Sequence, residues 1–211
     1  MISSYLTLAV SKGYLLDETL KRLNKMGYEF EESQLKDSRK LFAFDKENRI
    51  RLLFIRPWDV SVYVEHGAAD LGVVGKDVLL EKEEEVAELV DLKFGHCRLI
   101  LACPSLQFPY QLFHHIRVAT KYPHSCEQFF NKKGIQARIL KMYGAIELAP
   151  LTGLSDIICD LTASGQTLKE NQLEIIDTVF ESSARLIANP VSLRLSYKEI
   201  QSFSTEIQKY L

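Results

Sequence analysis

The sequence predicts an α/β protein with mixed, mostly parallel sheets, and three observations lead there. Short apolar runs alternate with segments of helical spacing from Leu6 onward, the order that gives strands joined by crossover helices. Glycine, proline or small polar clusters stand at nearly every change of period, where such elements stop. A string in the first half, Asp70-Leu-Gly-Val-Val, is echoed in the second by Asp156-Ile-Ile-Cys; two similar α/β lobes would produce this, and so would chance over so short a string. Right-handed crossovers place the loops that bind ligands at the carboxyl ends of the strands.

Leu6 to Val10 is apolar and stops at Ser11-Lys12-Gly13, after which Leu15, Leu16, Thr19, Leu20, Leu23 and Met26 recur at helical spacing until Gly27, a glycine placed to end the helix. Residues 29–48 are polar with a few aromatics and read as hairpin-like strands or loops. A strand over 51–55 is halted by Pro57, a helix over 60–66 precedes Gly67, and 70–74 is a buried strand with Gly75 opening a helix through Leu80. The acidic run 81–85 reads as a solvated face or loop. Further strands are expected over 86–92, 97–103, 117–120, 137–142 and 156–161, with helices over 122–133, 145–148 and 164–171. Residues 173–188 are rich in β-branched and apolar side chains, and 196–211 read as an amphipathic terminal helix.

At 211 residues, 46% hydrophobic and 26% charged, the composition is that of a globular chain of one large domain or two lobes. A net charge of −2 argues against nucleic-acid binding, which needs a basic face. No apolar run approaches the roughly 20 residues of a membrane span and no signal core opens the chain, so the expected location is the cytoplasm, without membrane attachment. Cys97, Cys103, Cys126 and Cys159 lack C-x-x-C spacing and are expected as thiols. His66, His96, His114, His115 and His124 lack metal-ligand spacing.

The most informative segment runs from Gly153 through Asp160 to Leu168. An apolar strand ends in Asp160, and Thr162-Ala163-Ser164-Gly165-Gln166-Thr167 leads into a short helix. Such a turn aims consecutive backbone N–H groups at one point and suits a phosphate monoester. Asp160 at the strand end is placed to accept hydrogen bonds from ribose hydroxyls beyond that phosphate. The same string equally fits a surface helix capped by Ser164 and Thr167. Lys12, on a glycine-relaxed loop after the first strand, Arg56, fixed by Pro57 at a strand end, and Arg39 are candidate cations for a diphosphate. Gly72-Val-Val-Gly75-Lys76-Asp77 lacks the glycine spacing of a Walker loop; it reads as a strand and helix N-terminus where Asp70, Gly72 and Gly75 let a flat base approach the backbone.

Taken together, these strings resemble the ATP phosphoribosyltransferase family, catalytic subunit, over nearly the whole chain. The resemblance is carried by residues 8–13, 59–77, 95–98, 117–123 and 143–156, running on into 160–173. It implies a two-lobed fold like type II periplasmic binding proteins with a cleft between the lobes, lobe I being 1–92 plus 180–211 and lobe II 93–179. It also implies the short form of the family, which lacks a regulatory domain and associates with a separate regulatory subunit related to histidyl-tRNA synthetase in a hetero-octamer. The sequence departs from the usual pattern at Arg56-Pro57-Trp58, where relatives carry a small or acidic residue after the arginine.

The implied reaction joins N1 of ATP to C1 of phosphoribosyl pyrophosphate and releases pyrophosphate, the first step of histidine biosynthesis. Magnesium (Mg2+) is expected on the pyrophosphate, with no metal ligands from the protein. Glu147, Asp156, Asp160 and residues Thr162, Ala163, Ser164, Gly165, Gln166 and Thr167 are assigned to phosphoribosyl pyrophosphate. Lys12, Gly13, Asp70, Leu71, Gly72, Val74 and Gly75 are assigned to ATP, and Arg56, Lys12 and Arg39 to the charge of the leaving group. The rival expectation is a non-catalytic two-lobed binding or sensor protein, since one fold serves many functions.

Overall fold

The computed structural model describes residues 5–36, 39–47, 49–104, 110 and 115–211, with the side chain of Lys36 excepted. His114 lies outside the described residues. The first strands and helices are β1 (Leu6–Val10), α1 (Tyr14–Lys25), α2 (Glu32–Lys36), β2 (Phe42–Phe44), β3 (Ile50–Phe54), a 3-10 turn (Pro57–Asp59), α3 (Val60–Glu65), β4 (Leu71–Gly75), α4 (Lys76–Lys82) and β5 (Ala87–Asp91). They are followed by β6 (Cys97–Cys103), β7 (Ile116–Thr120), α5 (Pro123–Lys132), β8 (Ala137–Lys141), α6 (Leu148–Leu151), β9 (Ile157–Thr162), α7 (Gln166–Glu170), β10 (Glu174–Ser182), β11 (Ala184–Ala188), α8 (Pro190–Leu195) and α9 (Tyr197–Gln208). Among the described residues no helix is long and apolar enough to cross a membrane. All four cysteines are free thiols.

The chain divides into two compact units, Met1–Leu79, Glu83–Gly95 and Ser183–Leu211 in one, Leu80–Lys82 and His96–Ser182 in the other. The chain passes between them a few residues beyond the expected Leu92 and Val179, because β10 stays paired with β6 as far as Ser182 opposite Cys97. One sheet has the order β2-β3-β1-β4-β11-β5, the other β10-β6-β9-β7-β8.

The two sheets repeat one plan. In the first, β1 lies between β3 and β4, parallel to both; in the second, β7 lies between β8 and β9, parallel to both. Each third strand then leads through a helix to an edge strand of its own sheet, β5 or β10, and the chain next enters the other sheet as the antiparallel partner of that sheet's third strand, β6 on β9 and β11 on β4. Each strand order reverses beside the first strand, at β1/β4 and at β7/β9, and the crevice beyond the carboxyl ends there is where open α/β sheets bind ligands.

The echoed aspartates are equivalent in three dimensions. Asp70 donates its N–H to the Thr7 carbonyl (3.0 Å) and its carboxylate accepts the Thr7 N–H (2.9 Å). Asp156 does the same with Arg117, at 2.9 and 2.8 Å, and adds an ion pair to the Arg117 guanidinium at 2.6 Å. Both reciprocal brackets join the amino end of a third strand to the start of the first, satisfying N–H groups that would otherwise lack a partner. The Arg117 guanidinium, as hydrogen-bond donor and charge, holds the Asp156 carboxyl below its ordinary value.

The first sheet is covered on both faces, as parallel strands require. Leu8, Val10, Leu52 and Leu186 pack under Leu16 and Leu23 of α1 and Ile200 and Phe203 of α9, while Ala9 and Ile187 pack with Val60 and Val64 of α3 on the other side. Gly72 sits at that second interface: a Cβ there would meet Val64 Cγ2 at 2.8 Å, Val60 Cγ1 at 3.0 Å and Ile187 Cγ1 at 3.2 Å. Gly72→Ala is expected to destabilise the protein by about 1–3 kcal/mol through overpacking. Urea unfolding would read this as a lower midpoint at unchanged slope, and an unmoved midpoint would show that α3 yields freely.

Several elements differ from the sequence expectation. The polar stretch before β2 contains a helix, α2, whose Gln34 Oε1 accepts the Phe44 N–H at 2.9 Å. The chain after residue 189 forms two helices, with Asn189 accepting the Val191 and Ser192 N–H groups of α8 at 2.9 and 2.8 Å. Glu81, in the acidic run read as solvated, accepts the N–H groups of His124 and Ser125, both at 2.9 Å, and so satisfies orphan donors at the start of α5.

Candidate active site

At the β7/β9 switch point of the second unit lies a cavity of about 330 Å³, at the small end of the range for small-molecule sites. Its walls are Glu147, Ile158 and the continuous run Asp160 to Leu168. The wall is built by the turn from β9 into α7, where Gly165 takes φ 75°, a left-handed conformation natural to glycine. Leu168 is buried against Ile158 and Leu173 and anchors the far side of the turn.

Within the turn the Thr162 hydroxyl accepts the Gly165 N–H at 2.9 Å and the Ser164 hydroxyl accepts the Gln166 N–H at 3.3 Å. Two of the amides expected to meet an anion therefore meet hydroxyl oxygens first. A hydroxyl that accepts from an amide still has a proton to donate, so this pair can relay the turn's positive end to an anion or yield the amides to it.

Glu147 also lines the cavity. Ala145 is held at φ 50°, a conformation that is costly for a residue with a Cβ, and the turn it makes buries Ile146 while leaving Glu147 on the cavity. Burial pushes the Asp160 carboxyl up to about 6; its hydrogen bond from the Leu161 N–H (2.9 Å) opposes the rise, the Glu147 charge adds to it, and the Lys121 charge opposes it. Two acids thus face one small cavity, one of them titrating unusually high, an arrangement that marks functional sites more often than chance.

The expected phosphoribosyl residues Glu147, Asp160 and Thr162 to Thr167 all line this cavity; Asp156 does not. It sits at the amino end of β9, engaged with Arg117, so its part is to fix the strand. The expected ATP residues divide in the same way. Lys12 and Gly13 follow β1 and Gly75 ends β4, at the carboxyl edge of the first sheet. Asp70 is at the amino edge, its carboxylate occupied by the Thr7 N–H and by the Ser192 hydroxyl at 2.7 Å. Leu71 and Val74 are core side chains and the bare face of Gly72 is filled by α3. Gly75 is bare for a local reason: a Cβ would fall 2.1 Å from Asp77 Oδ1, which folds back over it.

Of the expected cations, Lys12 holds its ammonium 4.8 Å from the centre of the Phe54 ring. Arg56 is exposed and extended at φ −68°, ψ 147°, directly before the Pro57 turn. Arg39 is exposed in a turn. The reading of the sequence missed Ile158, Leu161 and Leu168 as cavity walls and Lys121 as a neighbour of Asp160. The available signal for Lys121 was its place directly beyond a strand, as for Lys12.

Two sheets of one plan, with the chain crossing from each to the other, define a periplasmic-binding-protein-like α/β fold, and the polar cavity at the switch point of the second is its candidate small-molecule site. The family model described as HisG: ATP phosphoribosyltransferase matches residues 56–209, and an ATP phosphoribosyltransferase of Geobacter metallireducens is 42% identical over 213 residues, covering 100% of both chains. The chain belongs to the ATP phosphoribosyltransferase family, transferases that carry out the first step of histidine biosynthesis. A relative of the same description from Syntrophomonas wolfei is 44% identical over 99% of this chain and 97% of its own. Among solved structures, the ATP phosphoribosyl transferase (HisG:HisZ) complex from Thermotoga maritima superposes with a TM-score of 0.82 at 37% identity, covering 97% of each chain. The periplasmic aliphatic sulphonate binding protein SsuA from Escherichia coli, 12% identical, shares the fold alone, with a TM-score of 0.60 over 98% of this chain and 68% of that one.

Proposed function

We propose that the β7/β9 cavity holds the phosphoribosyl half of phosphoribosyl pyrophosphate while the chain transfers that group to N1 of ATP and releases pyrophosphate. The observation that carries this is the cavity wall itself: a hydroxyl- and amide-rich turn from Thr162 to Thr167, together with Asp160 and Glu147. The turn suits the 5′-phosphate, and the two acids suit the ribose hydroxyls, since an ionised carboxylate only accepts. As the bond from C1 to pyrophosphate loosens, positive charge builds on the ribose ring and negative charge on the leaving group. Groups fixed before the reaction that meet those charges lower the barrier.

Lys12, Arg39 and Arg56 are the groups proposed to meet the leaving pyrophosphate, and the Lys12-Gly13 loop with Gly75 is proposed for ATP. Magnesium enters with the pyrophosphate, whose hard oxygens suit it. The reaction takes place in the cytoplasm. The HisG:HisZ description of the Thermotoga maritima complex supports a separate regulatory subunit for this chain as well, related to histidyl-tRNA synthetase and assembled with it in a hetero-octamer. The fold alone would serve a solute-binding protein equally well, as it does in SsuA; the family decides between the two. Mixing the purified chain with ATP, phosphoribosyl pyrophosphate and magnesium, with and without a HisZ subunit, is expected to yield phosphoribosyl-ATP, and absence of the adduct under both conditions would overturn the assignment.

A further inference from the structure

We propose that Lys121 is a positioning residue of the phosphoribosyl cavity: its ammonium, one strand over from Asp160, keeps that carboxylate in the ionised form that accepts ribose hydroxyls. The inference rests on the functional reading above and adds a residue to it.

The geometry begins with strand register. In the parallel pair β7/β9, Ala119 stands beside Ile158 and Thr120 beside Cys159. Ala119 and Ile158 pack in one cluster with Ile146 and Ala149, whereas Cys159 turns to the other face and meets Cys126 of α5. Side chains alternate along a strand, so Asp160 returns to the face of Ile158, and Lys121 is the first residue beyond β7, next after the Thr120 and Cys159 pair. Beyond Thr120 the chain bends toward α5, with the Tyr122 N–H bonding the Thr120 hydroxyl at 2.8 Å. Lys121 therefore stands at the switch point, one residue beyond the Thr120 and Cys159 pair, with its charge acting on Asp160.

The charges that face Asp160 come from few elements. Glu147, before α6, repels its ionised form. Lys121, after β7, attracts it. From β6 the directly paired residue is the uncharged Ile100, with Arg98 further along opposite Thr162. From α7 the walls are Gln166, Thr167 and Leu168, all uncharged. Burial and Glu147 both favour the protonated acid, which would present a donor where acceptors are needed, so a nearby cation that favours the carboxylate has a definite task.

The test is the pH dependence of Asp160 in the wild type and in Lys121→Met. A carboxyl carbon NMR titration of the free protein, with the Asp160 signal assigned by its loss in Asp160→Asn, is expected to show the acid titrating about half a unit to one unit higher in Lys121→Met. The acid limb of kcat/KM for phosphoribosyl pyrophosphate should move up by the same amount, and Lys121→Arg, which keeps the charge, should return both toward the wild type. Lys121→Gln provides the uncharged variant if methionine disturbs folding, as judged by circular dichroism. An Asp160 titration unmoved in both uncharged variants overturns the inference, as does an activity loss that is uniform across pH. Wild-type protein that forms no phosphoribosyl-ATP would instead sink the functional reading, leaving the NMR result to decide on Lys121 alone.

Discussion

Asp160→Asn is expected to lower kcat/KM for phosphoribosyl pyrophosphate by on the order of a hundredfold and at the same time to raise the melting temperature near neutral pH. Activity falls because the amide replaces one acceptor oxygen with a donor and removes a negative charge from beside a ribose ring that becomes positive in the transition state. Stability rises because the native carboxyl, pushed up from 3.8 to about 6, resists ionisation in the fold. As pH climbs from about 4 to about 6 the unfolded chain releases this proton before the folded chain does. Stability contributed by the protonated acid is therefore lost across that interval and stays lost above it. Asparagine has no proton to lose, so the variant should gain about 1–2 kcal/mol at pH 7, a few degrees for a chain of this size. Calorimetry and steady-state kinetics at pH 5 and pH 7 check both halves. A variant that loses activity without gaining stability would mean that Asp160 is already at ease in the fold, and one that keeps its activity would remove it from the ribose site.

Arg56→Ala is expected to lower kcat by on the order of a hundredfold, about 3 kcal/mol of transition-state stabilisation, with a smaller change in KM. The leaving pyrophosphate gains charge only as the C1 bond loosens, so a guanidinium fixed beforehand acts mainly on the barrier. Its backbone is held in extended form by the Pro57 turn that follows, and its side chain is exposed. Folding stability should therefore change by no more than about 0.5 kcal/mol. Arg56→Lys retains the charge without the planar fork and should fall between the two. An unchanged kcat in Arg56→Ala would release Arg56 from the leaving group.

The local periods of the sequence were legible because the central strands are apolar runs. Residues 6–10, 71–75 and 157–162 show this directly, with nearly every side chain in the first two buried. The turn from Asp160 to Thr167 was legible as a turn for a different reason: small, hydroxyl and glycine residues after an apolar strand stop it and open a helix, whether they cap that helix or meet an anion. What could not be read was long-range. Nothing local in 97–103 or 184–188 tells that each strand lies antiparallel in the sheet of the opposite half, since that pairing is fixed only when distant segments meet.

An aspartate at the amino end of a strand, as Asp70 and Asp156 are, looks the same in sequence as one in the carboxyl half, where Asp160 is. Only the reciprocal bonds to Thr7 and Arg117 separate the cases. Gly72 packs against α3, and a glycine that admits a ligand and one that admits a neighbouring helix share the same letter. The helix α2 was hidden because its five residues are too few for a periodic signal.

The most direct test of the central claim is a crystal structure of the protein with phosphoribosyl pyrophosphate and magnesium. The 5′-phosphate should lie against residues 162–167, with the Gly165 and Gln166 N–H groups or the Thr162 and Ser164 hydroxyls pointing at its oxygens, and the ribose hydroxyls should meet Asp160 and Glu147. Substrate density elsewhere, with those amides still closed on the Thr162 and Ser164 hydroxyls and the cavity holding only water, would contradict it.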